Sequence, residues 1–451
     1  MATITSPVTV VKHKHPPGLP VLFFTEMWER FSFYCMLSIL ALYMNESLGF
    51  DTDTVGQVYG WYIGLVYFSP LFGGLLADKA LGFGRAILIG AVFMGLGHFL
   101  LAFPPLTTFF AGLACLIIGN GLFKPNISVL LGNLYRNMPE KRDDAYNIFY
   151  MGINVGAFFS PLVAGYLRTN FGWHYAFGAA GIGMIISLII FSVFRKYTRS
   201  GEVNEHLRAE ERHPEIELTK SQERSRIGAL LVIFAIVVVF WMAFHQSGFT
   251  LTFWARDATD PASVPSWALD STGERPAGEL TQSINPFFVL AFTPLIVALW
   301  TFLRRRRKEP STAAKIGYGM VLTAVAYGIM TLAGRVGGDT GRVSITWLIG
   351  TYAVITMGEL MLSPMGLSLV NKLAPARMRG LLMGGWFTAT AVGNKLSGAV
   401  GSLWDDMPHS QFFLILSVAS LAAAAVLFLL IKKIRDTIHD AEQMALMSAT
   451  K

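Results

Sequence analysis

Apolar residues in this chain come in long runs separated by short polar segments. One run, at 412–431, reads FFLILSVASLAAAAVLFLLI, and a bilayer-spanning helix needs roughly 20 such residues. The same pattern recurs along the whole chain, so we expect an all-α integral membrane protein. The predicted spans are 20–44, 54–77, 86–103, 107–131, 145–167, 174–194, 227–254, 284–303, 313–334, 344–370, 379–401 and 411–431.

The only long polar stretch between spans is 195–226, which is rich in Arg and Glu. It divides the chain into an N-terminal six-helix bundle (1–194), a cytoplasmic linker (195–226) and a C-terminal six-helix bundle (227–451). Two such halves in one chain are typical of transporters that are built from parallel repeats.

The composition agrees with this pattern. Of the 451 residues, 53% are hydrophobic and only 14% are charged, whereas soluble proteins carry about 25% charged residues. Residues 1–18 are polar and Pro-rich and lack a secretory signal, so we expect helix 1 to be retained. Cys35 and Cys115 both lie in apolar runs, and we interpret them as unpaired core thiols.

The distribution of basic residues predicts the orientation. If the N-terminus is cytoplasmic, most of the 36 basic residues lie on the inside. This bias favours two cytoplasmic termini, in the cell (inner) membrane. The run RRRRK at 304–308 resembles a nucleic-acid patch, but it directly follows a span, so lipid contact explains it better. The outside loops contain only Arg168, Arg256, Arg275, Arg335 and Arg342.

Charged residues within spans are candidates for function, because each costs roughly 2.5–3.5 kcal/mol at mid-bilayer. Glu26, Glu29 and Arg30 have helical spacing i, i+3, i+4 and share one face, with Tyr34 one turn further. One guanidinium cannot neutralise both carboxylates, so one of them is expected to retain a proton more tightly. The alternative is a group of side chains that extend to the membrane surface near the helix end.

Lys124 lies well inside helix 4, and Glu359 lies in the middle of helix 10. One buried cation in the first half and one buried anion in the second predict a pair across a central cavity, which forms or breaks as the halves move. The alternative is a static salt bridge that only fixes the packing. Lys395, in helix 11, we interpret as reaching the outer interface.

Three weaker polar candidates are Asn154, Asn285 and His245. A buried Asn more often links helices than binds a ligand. His245 interrupts helix 7, where it is either a packed neutral imidazole or a group that responds to pH at the outer gate.

Five sequence motifs resemble the proton-dependent oligopeptide transporter (POT/PTR) family of the major facilitator superfamily. GGLLADKALGFGR at 73–85 is similar to the superfamily's loop between helices 2 and 3. TEMWERFSFY at 25–34 resembles the family's ExxER motif, and FYMGINVGAFFSP at 149–161 its helix 5 signature. GELMLSPMGLSLVNKLAP at 358–375, and MGGWF at 383–387 with GN at 393–394, are similar to its signatures in helices 10 and 11.

The resemblance implies a major facilitator fold of 12 transmembrane helices in two six-helix bundles, and it also implies residue roles. Proton coupling would involve Glu26, Glu29, Arg30, Lys124 and Glu359. In the substrate site, Arg30 and Lys124 would face the substrate carboxylate, and Glu359, Asn154 and Asn285 would face its amino end. Tyr34, Tyr67 and Trp386 would line the pocket, with His245 as a further candidate.

Three positions depart from the family pattern. Phe33 replaces a tyrosine that often follows the ExxER stretch. Leu37 stands where the family often has an arginine, and His245 stands where it usually has an acid. In the family that arginine and that acid can pair at the outer gate, so this chain has lost both partners.

Together these features predict a proton-coupled symporter that imports di- and tripeptides by alternating access. The alternative is the same carrier for a modified peptide, an amino-acid derivative or nitrate, and a receptor without transport is a third reading. The sequence has no nucleophile elbow, phosphate loop or metal-ligand spacing, so we do not expect an enzyme. The expected partners are peptide, protons and membrane lipid but no nucleic acid; we expect a monomer that uses a proton gradient and no cofactor.

Overall fold

The computed structural model describes residues 15–138, 141–202, 219–339, 341–375 and 378–449. These residues form helices joined by turns, with no β-sheet beyond two isolated bridges, so the all-α prediction is confirmed. The helices are α1 (Gly18–Leu42), α2 (Thr52–Phe68), α3 (Pro70–Leu76), α4 (Phe83–Leu101), α5 (Leu106–Leu134), α6 (Arg142–Phe171), α7 (Trp173–Phe194), α8 (Lys220–Phe244), α9 (Thr250–Asp257), α10 (Ile284–Arg305), α11 (Thr312–Val336), α12 (Thr346–Leu373), α13 (Arg379–Gly401) and α14 (His409–Ala449).

These helices make twelve rods, and each predicted span falls on one of them. Helices α2 and α3 form one rod that is interrupted at Pro70, which has no N–H to donate. Helices α8 and α9 form another rod, which is broken at the 3₁₀ turn His245–Gly248. In the described part of the chain, nine rods are long and apolar enough to cross a membrane. Over their described residues, helices α12, α13 and α1 do not meet that criterion. Helix α1 carries three charged residues.

Within each half, helices pack closely where small residues face one another. In the first half, α1 packs on α6 and α7, and α4 packs on α5 and α7. In the second half, α8 packs on α13 and α14, and α11 packs on α12 and α14. A methyl group at Gly90 would lie 2.7 Å from the Gly119 carbonyl oxygen, and Gly319 meets Gly358 in the same way. Such positions allow helices to pack tightly without a hydrophobic driving force from water.

The two halves meet near one end of the bundle. We call the side where α1 begins at Gly18 the N-terminal face, and the side where α1 ends at Leu42 the opposite face. Helix α2 packs on α13 in the part of each helix nearer the opposite face, where a methyl group at Gly398 would collide with the Gly56 carbonyl oxygen. Helix α6 meets α10 and the 3₁₀ turn before it, Gly278–Ser283.

Two helices extend into the polar segments of the chain. Helix α8 begins at Lys220 with a capping box between Thr219 and Gln222, so the end of the predicted linker is helical. Residues 203–218 of that linker lie outside the described residues, and the division at 195–226 stays a prediction. Helix α14 continues to Ala449, well past the predicted span. Cys35 and Cys115 are both free, as expected.

Candidate functional site

Helix α1 places three ionisable side chains in the interior of the first half. Glu29 accepts two hydrogen bonds from Arg30, from Nε and Nη2, each 2.5 Å long. Glu26 is 3.6 Å from Arg30 Nε, and its Oε2 is buried without a hydrogen-bond partner in the described part of the chain. All three residues are at most 2% exposed. The two carboxylates are therefore not equivalent, because Arg30 is committed mainly to Glu29.

Asn120 of α5 holds the guanidinium from the other side. Arg30 Nη2 donates to Asn120 Oδ1 at 3.2 Å, and Asn120 Nδ2 donates to the Val66 carbonyl of α2 at 2.8 Å. This residue was missed in the sequence. Its spacing could have revealed it, since Asn120 lies four positions before Lys124 and shares its helix face.

Lys124 lies one turn further along α5, next to Tyr67 of α2. Its Nζ is 4.8 Å from the centre of the Tyr67 ring, within the range of a cation–π contact. Among the described residues Lys124 forms no ion pair. Its ammonium group is therefore held by an aromatic face and is available to an anion.

Glu359 of α12 lies in the second half and is fixed by Asn285 of α10. Asn285 Nδ2 donates to Glu359 Oε2 and to Thr356 Oγ1, each at 2.9 Å. Glu359 lies near Tyr34 and Tyr67 of the first half. The carboxylate thus faces the same interior region as the cations of α1 and α5.

The predicted pair between Lys124 and Glu359 is not closed in this structure. Glu359 is bonded to Asn285 instead, and Lys124 lies on the Tyr67 ring. The pairing of the two as the halves move therefore stays a prediction.

The remaining predicted pocket residues are less closely grouped. Tyr34 of α1 is partly buried, and its ring packs edge-on against the Phe33 ring, with 5.3 Å between the ring centroids. Asn154 donates to the Tyr150 carbonyl of its own helix at 2.9 Å. Trp386 is buried and packs against Phe234 of α8 at 6.4 Å. In the part of the chain that the structure describes, no hydrogen bond joins Asn154 or Trp386 to the charged side chains of α1.

His245 is buried in the break between α8 and α9. Its ring stacks on the Trp241 ring, with 5.5 Å between the ring centroids. It also packs edge-on against the Tyr67 ring of the first half, with a centroid separation of 5.9 Å. Its Nε2 has no hydrogen-bond partner within the described residues. This aromatic environment favours the packing interpretation, and the pH response at an outer gate stays untested.

A second charged cluster, which the sequence did not reveal, joins the halves at the opposite face. Arg168, at the end of α6, donates to both oxygens of Glu279 at 2.9 and 2.8 Å, and to Glu46 at 2.6 Å. Arg256 of α9 donates to Glu46 at 3.0 Å. We call Glu46, Arg168, Arg256 and Glu279 the opposite-face network. It crosses between the halves twice, through Arg168 with Glu279 and through Arg256 with Glu46.

Lys395 of α13 also joins the halves, rather than only reaching an interface. Its Nζ donates to Gln57 of α2 at 2.9 Å and lies 5.1 Å from the centre of the Trp61 ring. Trp61 is more than half exposed. Lys395 therefore lies at the rim of the contact between α2 and α13.

Comparison with known proteins decides the family. A sequence profile of the POT family matches residues 84–206 and 199–419, which is most of the chain. The chain belongs to the POT family. The peptide transporter YePEPT of Yersinia enterocolitica is 32% identical over 95% of this chain and 96% of its own length. A di-/tripeptide transporter of Lactococcus lactis is 31% identical over 94% and 97%, respectively.

Solved structures of POT-family transporters share this fold. A crystal structure of a peptide transporter POT in complex with sulfate matches with a TM-score of 0.84 and 29% identity, over 94% of this chain and 96% of that one. A POT-family transporter in complex with 5-aminolevulinic acid matches with a TM-score of 0.81 and 29% identity, over 93% and 97%. This POT-family chain therefore has the predicted major facilitator fold and is a membrane transporter, not an enzyme.

Proposed function

We propose that this POT-family chain imports di- and tripeptides together with protons by alternating access. The observation that carries the proposal is the placement of opposite charges on the two halves. Arg30 and Lys124 of the first half and Glu359 of the second face one interior region. A short peptide at neutral pH carries a carboxylate and an ammonium group, so it complements both. One relative named as a peptide transporter and another named as a di-/tripeptide transporter favour peptides over the other small solutes considered above.

Glu26 is the proposed site of proton exchange. Glu29 is satisfied by two hydrogen bonds from Arg30, whereas Glu26 has one longer contact and a buried oxygen without a partner among the described residues. A buried, unpaired carboxylate oxygen is unfavourable, and a bound proton removes that charge. Binding of a substrate carboxylate to Arg30 would weaken the hold of Arg30 on the acids and thereby couple the two events.

The proposed alternation uses the opposite-face network as the outer gate. Placing that face outside agrees with the distribution of basic residues and puts both termini in the cytoplasm, in the inner membrane. With the network closed, the substrate site would exchange with the cytoplasm. Opening the gate would require the ion pairs of Arg168 and Arg256 to break.

The proposed carrier acts as a monomer in lipid and uses a proton gradient as its only energy source. Each half contributes part of the site within a single chain, so a second copy is not needed to complete it. Within the described residues, no group of three or more His, Cys, Asp or Glu side chains could hold a metal ion.

The experiment that tests the substrate class uses blocked peptides. A labelled dipeptide is bound to the purified protein at equilibrium, and unlabelled dipeptide, N-acetyl dipeptide and dipeptide amide compete with it. Each blocked end loses one charge-assisted contact of about 1.5–3 kcal/mol, so we expect each analogue to compete about 10- to 150-fold more weakly.

Two variants assign the ends. In Glu359→Gln, we expect the free dipeptide and the N-acetyl dipeptide to compete equally well, while the dipeptide amide still competes more weakly than the free dipeptide. Lys124→Gln is expected to do the reverse. Equal competition by all three compounds in the wild type would refute the proposed recognition of both termini.

A further inference from the structure

A cavity of about 270 Å³ lies between α8 and α14 at the N-terminal face, remote from the substrate site. Its mouth carries two cationic side chains, Arg224 of α8 and Lys433 of α14, both exposed. No acidic side chain lines the cavity in the described part of the chain. The mouth is therefore suited to an anion.

The walls of the cavity become apolar below this mouth. Ala229 and Val232 line it on α8, and Leu430 lines it on α14. From residue 224 to residue 232 a helix rises about 12 Å. The cavity lining thus changes from cationic to apolar with increasing depth in the membrane. A phospholipid changes in the same direction, from its headgroup to its acyl chains.

The position along the helices matches the boundary of the membrane. The apolar part of α8 begins at Ile227, within one turn of Arg224, and the apolar part of α14 ends at Ile431, two positions before Lys433. A hydrogen bond of 3.0 Å between the Ser225 and Thr437 hydroxyls ties the two helices together beside Arg224 and one turn from Lys433. Cationic side chains at this depth meet lipid phosphates.

We propose that this cavity is a binding site for an anionic phospholipid of the leaflet at the N-terminal face. Arg224 and Lys433 bind the headgroup phosphate, and one acyl chain packs along Ala229, Val232 and Leu430. A free inorganic anion would use the mouth alone and leave the apolar walls exposed. The combination of both surfaces therefore points to a lipid.

Gly228 allows the acyl-chain part to be tested separately. Gly228 lines the cavity, and a Cβ atom there would meet no heavy atom within 4 Å, so a larger side chain at this position would occupy part of the cavity. Gly178 of α7 is also open at its Cβ position and does not line the cavity. Gly228→Leu and Gly178→Leu are thus a matched pair.

The experiment measures binding of phosphatidylglycerol and phosphatidylcholine to the purified full-length protein by native mass spectrometry. We expect phosphatidylglycerol to bind more tightly than phosphatidylcholine. Arg224→Gln and Lys433→Gln are each expected to weaken phosphatidylglycerol binding about fivefold, the effect of one basic residue near an anionic surface. Lys432→Gln removes an exposed neighbouring charge that does not line the cavity, and it is expected to have no effect.

Gly228→Leu is expected to reduce the binding of phosphatidylglycerol at least tenfold, while Gly178→Leu matches the wild type. Equal binding by these two variants would overturn the proposal, since the lipid would then not enter the cavity. Competition by millimolar inorganic phosphate would also overturn it and would assign the mouth to a free anion. Equal losses for Lys432→Gln and Lys433→Gln would indicate nonspecific attraction and contradict a defined site.

Discussion

Replacing Glu279 by Gln removes one charge from the opposite-face network and keeps the size of the side chain. Glu279 is fully buried and accepts two hydrogen bonds from Arg168 of the other half. These contacts exist only while the halves meet at this face. We therefore expect Glu279→Gln to favour the state in which the opposite face is open.

The size of the effect follows from these contacts. A hydrogen bond to a charged group contributes about 1.5–3 kcal/mol net. The amide that replaces the Glu279 carboxylate would still accept one neutral hydrogen bond, and Arg168 would keep its contact with Glu46 at 2.6 Å. We therefore expect the closed state to lose about 1.5–3 kcal/mol relative to the open state, a change of about 10- to 150-fold in the ratio of the two populations.

The assay measures a distance across the opposite face. Spin labels at Asn170→Cys, near the end of α6, and Asp406→Cys, after α13, report on the separation of the halves, since both positions are exposed. The native Cys35 and Cys115 are first replaced by Ala. Double electron–electron resonance is expected to show a longer distance component in Glu279→Gln than in the parent protein.

The matched control is Glu309→Gln. Glu309 accepts two hydrogen bonds from Arg304 and one from Lys315, but all three residues belong to the second half. This variant loses an ion pair without affecting contact between the halves, so its distances should match the parent. An unchanged distribution in Glu279→Gln, or an equal shift in Glu309→Gln, would refute the role of the network as a gate.

Further predictions concern the interior site and one surface carboxylate. Glu26→Gln is expected to keep peptide exchange but lose uptake driven by a pH gradient, because the proposed proton carrier is gone; coupled uptake at the wild-type level would contradict this. Lys124→Ala and Glu359→Ala should each abolish concentrative uptake, measured with a labelled dipeptide. Because His245 packs between aromatic rings, equilibrium binding of peptide to wild type and His245→Gln should give superimposable profiles from about pH 5 to 8, and a divergence would assign it a pH-sensitive role. The hydrogen bonds from Arg304 and Lys315 lower the pKa of Glu309 from 4.5 to about 2. The ionised Glu309 therefore stabilises the folded protein above pH 4.5, and this stabilisation is lost as the pH falls toward 2. The difference in Tm between wild type and Glu309→Gln should shrink over that range.

The helices could be predicted from the sequence because a bilayer leaves few alternatives. A backbone in hydrocarbon must satisfy its own hydrogen bonds, so each long apolar run becomes a helix. The break in the rod of α8 and α9 was also visible, since His245 and Gln246 interrupt the run. The extension of α14 to Ala449 was not, because it lies beyond the apolar run that signals a span.

The local part of the interior site could be predicted for the same kind of reason. The spacing of Glu26, Glu29 and Arg30 fixes their shared face within one helix. The sequence could not show which of the two acids pairs more closely with Arg30, because this depends on how Asn120 of another helix orients Arg30.

Contacts between segments that are distant in sequence could not be predicted from the sequence. Arg168 and Glu279 are 111 positions apart and lie at the ends of different rods. Neither has a neighbour in sequence that indicates its partner. The predicted contact between Lys124 and Glu359 stays a prediction, since whether it forms depends on which conformation the transporter adopts.

Proton-coupled peptide uptake is tested most directly in sealed proteoliposomes that contain the purified protein. An acidic exterior is imposed, and accumulation of a labelled dipeptide is followed together with luminal pH. We expect accumulation above the external concentration with simultaneous acidification of the lumen, and we expect a proton ionophore to abolish the accumulation. Binding without accumulation would indicate a receptor, and concentrative uptake that survives the ionophore unchanged would contradict proton coupling.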